Sequence, residues 1–170
     1  NELKILVVDD EPGMRLGAER TLRSYRFRLA GFEEEVSFII AMAGTGQEAM
    51  SMMEKEKPDI LVLDHKLPDI QGLDILLEIT RRKWDILTIM VTAYASLDVA
   101  ISATKNGAFD FLAKPFTPDE LRGTIQKAAK QIFLHRKAQK LAEERRQVRF
   151  QFISVLAHEL KSPIAAVEGY

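Results

Sequence analysis

Five residues of the chain could do chemistry together. Asp9 and Asp10 follow the apolar run "ILVV", Asp64 ends "ILVLD", Thr92 ends "TIMVT", and Lys114 stands just after "FDFLA" and before Pro115. Three carboxylates forced into one cleft repel each other and raise their own pKa values unless a cation joins them. A donor set made only of oxygen favours Mg²⁺, which keeps several waters and completes its shell with phosphate oxygens. A lysine and a hydroxyl beside it complement phosphoryl oxygens. The combination is that of metal-assisted phosphoryl transfer to a carboxylate nucleophile. A single Asp at a strand end is commonly a turn residue; all five at strand ends, in this order, carry the signal.

A second constellation lies near the end of the sequence, in "FISVLAHELKSP", Phe152 to Pro163. Glu159 beside His158 can orient the imidazole and accept its proton while the other ring nitrogen attacks phosphorus. Zinc on a helix would need a second histidine four residues on, and Ser162 stands there. Pro163 removes a helical hydrogen bond and is expected to bend or loosen the helix.

The elements that must position these groups alternate. Strands are expected at Leu3–Val8, Val36–Ala41, Ile60–Leu63, Thr88–Val91 and Phe109–Leu112, most of them continuously apolar or β-branched as in strands covered on both faces. Helices are expected at Pro12–Ser24, Gln47–Glu56, Leu73–Arg82 and Leu97–Lys105, with Pro12 suited to a first helical turn. Such alternation implies an α/β fold, a parallel sheet wound on both faces, with ligands beyond the carboxyl ends of its strands. "YRFRLAGFEEE", Tyr25–Glu35, makes the first helix-to-strand connection about ten residues longer than needed. An extended helix, a lid and a partner surface all remain open for it.

From Thr117 the character changes. Thr117 reads as an N-cap, Pro118 as the first helical residue, and Glu120 completes a capping box. After Gly123 neither Gly nor Pro occurs until Pro163, room for a helix of roughly 60–70 Å at 1.5 Å per residue. Leu134, Ala138, Leu141, Arg145, Val148, Phe152 and Val155 alternate four and three apart. That is a coiled-coil seam, with Arg145 as the polar position that sets register. Nine Lys/Arg stand against two Glu between Arg122 and Arg149, which invites nucleic-acid binding through a basic helix. The interleaved Glu143 and Glu144 suit a solvated coiled-coil face better, so nucleic acid is not the expected partner. There is no cysteine, which excludes disulfides and thiolate metal sites and fits a reducing compartment. The apolar runs are too short to cross a bilayer; no membrane is expected, and the location is expected to be cytoplasmic.

"ILVVDDEPGMR", "PDILVLDHKLPDIQG", "IMVTAYAS" and "GAFDFLAKPF" resemble the response-regulator receiver domains of two-component signalling, over roughly Leu3–Ala129. The resemblance implies a doubly wound, flavodoxin-like five-stranded parallel sheet in order 2-1-3-4-5, followed here by the long coiled-coil α-helix. It implies Asp64 as phospho-acceptor, charged by a phosphohistidine donor protein. Asp9, Asp10, Asp64 and the Lys66 backbone carbonyl would hold Mg²⁺, and Thr92 and Lys114 would grip the phosphoryl oxygens. Thr92 and Phe111 would form the switch, Lys66 and Tyr94 would tune phosphoryl lifetime, and His65 is a rim residue. In such families the Lys-Pro bond, here Lys114–Pro115, is usually cis. Haloacid-dehalogenase-like phosphatases also use an aspartyl-phosphate but want a second Asp two residues after the first. Lys66 and Glu11 occupy those places after Asp64 and Asp9.

"FISVLAHELKSP" resembles the H-box of histidine-kinase dimerisation and phosphotransfer domains. This implies autophosphorylation of His158 with Glu159 as base, and Ser162 at a place tied to phosphatase activity. The expected organisation is a receiver at residues 1–129, a coiled-coil linker helix at 130–149 and a truncated dimerisation helix at 150–170. The chain is read as a fragment of a sensor kinase that uses ATP in a domain lying elsewhere in the parent protein. The fragment is not expected to be an active kinase. Homodimerisation through the C-terminal helix is expected, with a downstream response regulator or phosphotransfer protein for the parent. The competing reading is a response regulator whose basic helical output contacts nucleic acid or a protein partner.

Overall fold

The structure is a computed structural model that describes the backbone of residues 1–93 and 97–168, with side chains described outside 162–168. Two compact units are present, Asn1–Lys130 and Gln131–Tyr170.

In the first unit β1 (Glu2–Val8), β2 (Ser37–Ala43), β3 (Ile60–Asp64), β4 (Leu87–Ala93) and β5 (Asp110–Lys114) form one parallel sheet in the order β2-β1-β3-β4-β5. Strand order reverses at β1, so the cleft between β1 and β3 at their carboxyl ends is the place for a ligand. The helices are α1 (Pro12–Arg23), α2 (Gly46–Lys55), α3 (Gly72–Arg81), α4 (Leu97–Lys105) and α5 (Pro118–Glu168).

The strand side chains alternate between two cores. Leu6, Val8, Leu61, Leu63 and Met90 pack with Ala49 and Met53 of α2, Ile75, Leu76 and Ile79 of α3 and Ala103 of α4. Ile5, Val7, Ile60, Val62, Ile89 and Val91 are also buried, and period two along a strand sends them to the opposite face. Leu22 of α1 and Leu121, Ile125 and Ala128 of α5 are buried as well, and Leu121 borders the same groove as Gly17, Ala18 and Thr21 of α1. Both faces are covered, which is why the strands read as unbroken apolar runs.

Four strands run past their expected carboxyl ends in a way that matters for the site, β3 to Asp64 and β4 to Ala93 among them. β2 runs on to Ala43, whose carbonyl accepts from the Asp9 N–H at 3.1 Å. β5 begins one residue later and extends to Lys114, pairing Ala93 with Lys114. At β5 the ladder thus continues into Lys114, a polar residue that a hydropathy pattern treats as loop.

The Tyr25–Glu35 connection is no helix. Phe27 and Val36 form an antiparallel bridge, Gly31 takes φ 86°, and Leu29 is buried. The rings of Tyr25, Phe27 and Phe38 cluster at 5.1–6.2 Å, and the Tyr25 hydroxyl donates to Gln126 Oε1 at 3.0 Å. The excursion is therefore packed into the first unit.

α5 starts as expected. Thr117 Oγ1 accepts from the Glu120 N–H at 3.1 Å and the Thr117 carbonyl from the Leu121 N–H. The helix passes Pro163, the residue expected to bend or loosen it, and ends at Glu168. In the second unit Leu134, Leu141, Val148, Phe152 and Val155 are all exposed. Among the described residues, no helix is long and apolar enough to cross a membrane.

Candidate functional site

The three first-named acids converge. Asp9 and Asp10 follow β1, Asp64 closes β3, and one ligand atom from each lies within 4.8 Å of the others. Asp9 and Asp64 are buried, whereas Asp10 is exposed. Two contacts fix Asp9: its Oδ1 accepts from the Glu11 N–H at 2.9 Å, and its carbonyl accepts from Arg15 Nη1 at 2.6 Å. Lys114 reaches over both buried acids, with Nζ 2.8 Å from Asp9 Oδ2 and 3.2 Å from Asp64 Oδ2.

The electrostatics follow from this crowding. Burial, then the charge of Asp9, pushes the Asp64 carboxyl above its ordinary range, while Lys114 and the Lys66 N–H pull in the other direction. Burial works to lower the Lys114 pKa, but its hydrogen bond to Asp9 and the charges of Asp64 and Asp9 outweigh that and leave it raised. The lysine is held as a cation between two carboxylates that would otherwise repel.

Asp10, Asp64, Lys66 and Lys114 line a cleft of about 270 Å³, together with Glu11, His65 and Ala93. His65 is thus at the rim, as expected, with its N–H bonded to the Val91 carbonyl. Thr92 is buried one residue inside the end of β4, in register with Ala113, and Ala93 takes the cleft-lining place. Phe111 on β5 is 43% exposed, so its ring faces outward. The Lys114–Pro115 bond is cis. Tyr94 lies outside the described residues, as does the Ser162 side chain. His158 and Glu159 are exposed on α5 in the second unit.

The oxygen-only donor set and the crowding of buried carboxylates fit Mg²⁺. When bound, the ion would supply charge neutralisation beside a transferred phosphoryl group. Arg15 and Asp69 also shape this region; both lie within the quoted stretches "ILVVDDEPGMR" and "PDILVLDHKLPDIQG", which gave neither a role. Arg15 could have been suspected only from its place one turn into the helix that follows the acids.

Comparison with known proteins agrees with the geometry. The family described as "Response regulator receiver domain" matches residues 5–126. The chain is 34% identical over 120 residues to the regulatory protein LuxO of Vibrio cholerae, a match that covers 71% of this chain and 24% of that protein. The chain thus spans about a quarter of that relative's length. It is also 34% identical over 124 residues to sporulation initiation phosphotransferase F of Bacillus subtilis, covering 73% of this chain and 91% of that protein. A response regulator receiver domain protein from Clostridium thermocellum superposes with a TM-score of 0.65 at 30% identity, over 78% of this chain and 98% of the other. The match takes in residues from all five strands and the acid cluster at the edge of the sheet, and the chain belongs to the response regulator receiver domain family.

Proposed function

We propose that Asp64 is the residue that accepts the phosphoryl group in this receiver, from the phosphohistidine of a donor protein. The observation that carries this is the convergence of Asp9, Asp10 and Asp64 with Lys114 at one strand edge. One Asp64 carboxylate oxygen attacks phosphorus, the bond from phosphorus to the donor nitrogen breaks, and the electron pair returns to the donor's imidazole. Lys114 neutralises charge on the phosphoryl oxygens as it arrives, and the Thr92 hydroxyl closes on them. Asp9, Asp10, Asp64 and the Lys66 carbonyl hold Mg²⁺. Thr92 and Phe111 then change place as the switch, and Lys66 and Tyr94 set access of water. Incubation with a small acyl-phosphate donor and Mg²⁺ should add one phosphate that alkali and hydroxylamine release. Retention of that phosphate in Asp64→Asn would refute the assignment.

The second unit is read as the start of a histidine-kinase dimerisation helix, with His158 the autophosphorylated residue of the parent protein and Glu159 its base. The two exposed side chains are adjacent on α5, next to an apolar seam that a second copy would cover. Its charges suit a parallel pair: Glu144 takes a g position and Arg149 the e position five residues on. Phosphorylation of Asp64 would then act on kinase output through α5. The parent kinase with and without a phosphoryl mimic on Asp64 should differ in turnover, and equal rates would refute the coupling.

A second reading has a specific support. One relative, 33% identical over 124 residues, is the DNA-binding transcriptional regulator NtrC of Salmonella typhimurium, and this chain has a basic stretch after Arg122. A salt-titrated DNA-binding assay separates the two, since phosphate contacts give steeply salt-dependent affinity.

A further inference from the structure

The loop that follows the acceptor strand, His65 to Gln71, is clamped at both ends. At its base the Gly72 N–H donates to the His65 carbonyl at 2.8 Å, and Lys66 and Gln71 form an antiparallel bridge. Gly72 is pressed so closely onto the acceptor that an added Cβ would sit 2.4 Å from the Asp64 carbonyl oxygen. At the far end Asp69 reaches across to a different helix. Its Oδ1 accepts from the Gly46 N–H at 2.9 Å and its Oδ2 from the Gln47 N–H at 2.8 Å. Oδ1 also accepts from the Ile70 N–H at 2.9 Å, which folds the tip of the loop around the carboxylate.

These are the first two N–H groups of α2, which have no partner inside their own helix, and a carboxylate there also meets the positive end of the helix dipole. Those hydrogen bonds, from Gln47 first and then Gly46, hold the Asp69 carboxyl below the usual carboxylate range. The remaining cap of α2 is independent of the loop: Thr45 Oγ1 accepts from the Glu48 N–H at 3.1 Å. Ile70 completes the latch, because a Cβ on Gly46 would sit 2.3 Å from the Ile70 Cγ1.

Lys66, paired with Gln71 at the base of the loop, turns its backbone N–H to the Asp64 carboxylate. We infer that Asp69 is a positioning residue for the acceptor site: by tying the loop to the N-terminus of α2 it holds Lys66 where its backbone serves Asp64 and the cation. This rests on the proposed Mg²⁺ site and adds a residue that touches neither the ion nor the phosphoryl group. Groups that orient metal-holding residues typically matter by 10–100-fold in affinity. The end of α2, remote in sequence, thereby becomes part of the site.

The test is calorimetric titration of the full chain with Mg²⁺, run beside urea denaturation in a chelator. Asp69→Ala should weaken Mg²⁺ binding about tenfold. Thr45→Ala removes a cap from the same helix without touching the loop, and should cost stability while leaving Mg²⁺ affinity as in the wild type. If Asp69→Ala does not fold, Asp69→Asn keeps the volume and one acceptor oxygen and should still show a several-fold loss. Wild-type affinity in a destabilised Asp69 variant would reduce the residue to a helix cap and overturn the inference. An equal loss of affinity in Thr45→Ala would overturn it too, by placing the effect in α2 itself. A wild-type chain that takes up no Mg²⁺ sinks the cation site and the Asp69 role together, whereas normal uptake with unchanged Asp69→Ala affinity sinks the Asp69 role alone.

Discussion

Lys114 is the counter-ion of the acid cluster, and Lys114→Met keeps much of its stem while removing the charge. At 2.8 and 3.2 Å from Asp9 and Asp64, the two attractions are about 6 and 5 kcal/mol gross at an effective dielectric of 20. Desolvation of the three groups offsets much of that, and deleting one partner of such a buried set typically costs about 3 kcal/mol. For a unit of this size that corresponds to a fall in Tm of about 10 °C. The assay is urea denaturation followed by the fluorescence of Trp84, the single tryptophan, which sits in the receiver unit beside Lys57 and Arg82. The loss should be largest at pH 7 in a chelator and smaller at pH 4. Asp64 already has a raised pKa, and without the lysine it takes up a proton more readily as pH falls, so uncompensated charge is removed. Mg²⁺ at a hundred times its Kd stabilises a chain by about 2.7 kcal/mol. The gain should be greater in the variant, where the ion takes over the lysine's charge. A loss that is the same at both pH values and with or without Mg²⁺ would show that Lys114 matters through packing, and the electrostatic reasoning would fail.

Asp64→Asn should stabilise the metal-free chain at pH 7, because a carboxyl with a raised folded pKa contributes stability below its unfolded value that is lost as pH rises through the folded one; thermal melts at pH 7 and pH 3.5 should show the difference shrink in acid. Gly72→Ala sets a Cβ 2.4 Å from a backbone oxygen and should cost at least about 2 kcal/mol, read from the urea midpoint. If the seam of the second unit pairs two parallel copies, Glu144→Lys should shift sedimentation toward monomer, and adding Arg149→Glu should restore the dimer; no shift in either would exclude that pairing.

The fold and the gathering of the acids were legible because both are written locally. Strands buried on two faces need unbroken apolar runs, and the acids and the lysine stand directly after such runs. Thr117 and Glu120 marked the start of α5 just as plainly. Strand ends were less legible: β2 runs on over Met42 and Ala43, and β5 extends by backbone pairing to Lys114, whose side chain carries no apolar signal. The course of Tyr25–Glu35 depended on the Phe27–Val36 bridge and on packing with Phe38, neither of which has a pattern within the segment itself. Local sequence thus determined which groups would crowd the carboxyl edge of the sheet. Only the tertiary structure decided what holds them: Lys114 over both buried acids, Arg15 on the Asp9 carbonyl, and Asp69 on the first N–H groups of α2. The physical reason is that a hydrogen bond between the 46th and 69th residues leaves no periodicity in either segment. It exists because β2 and β3 flank β1 on either side in the sheet, which brings the loops at their carboxyl ends together.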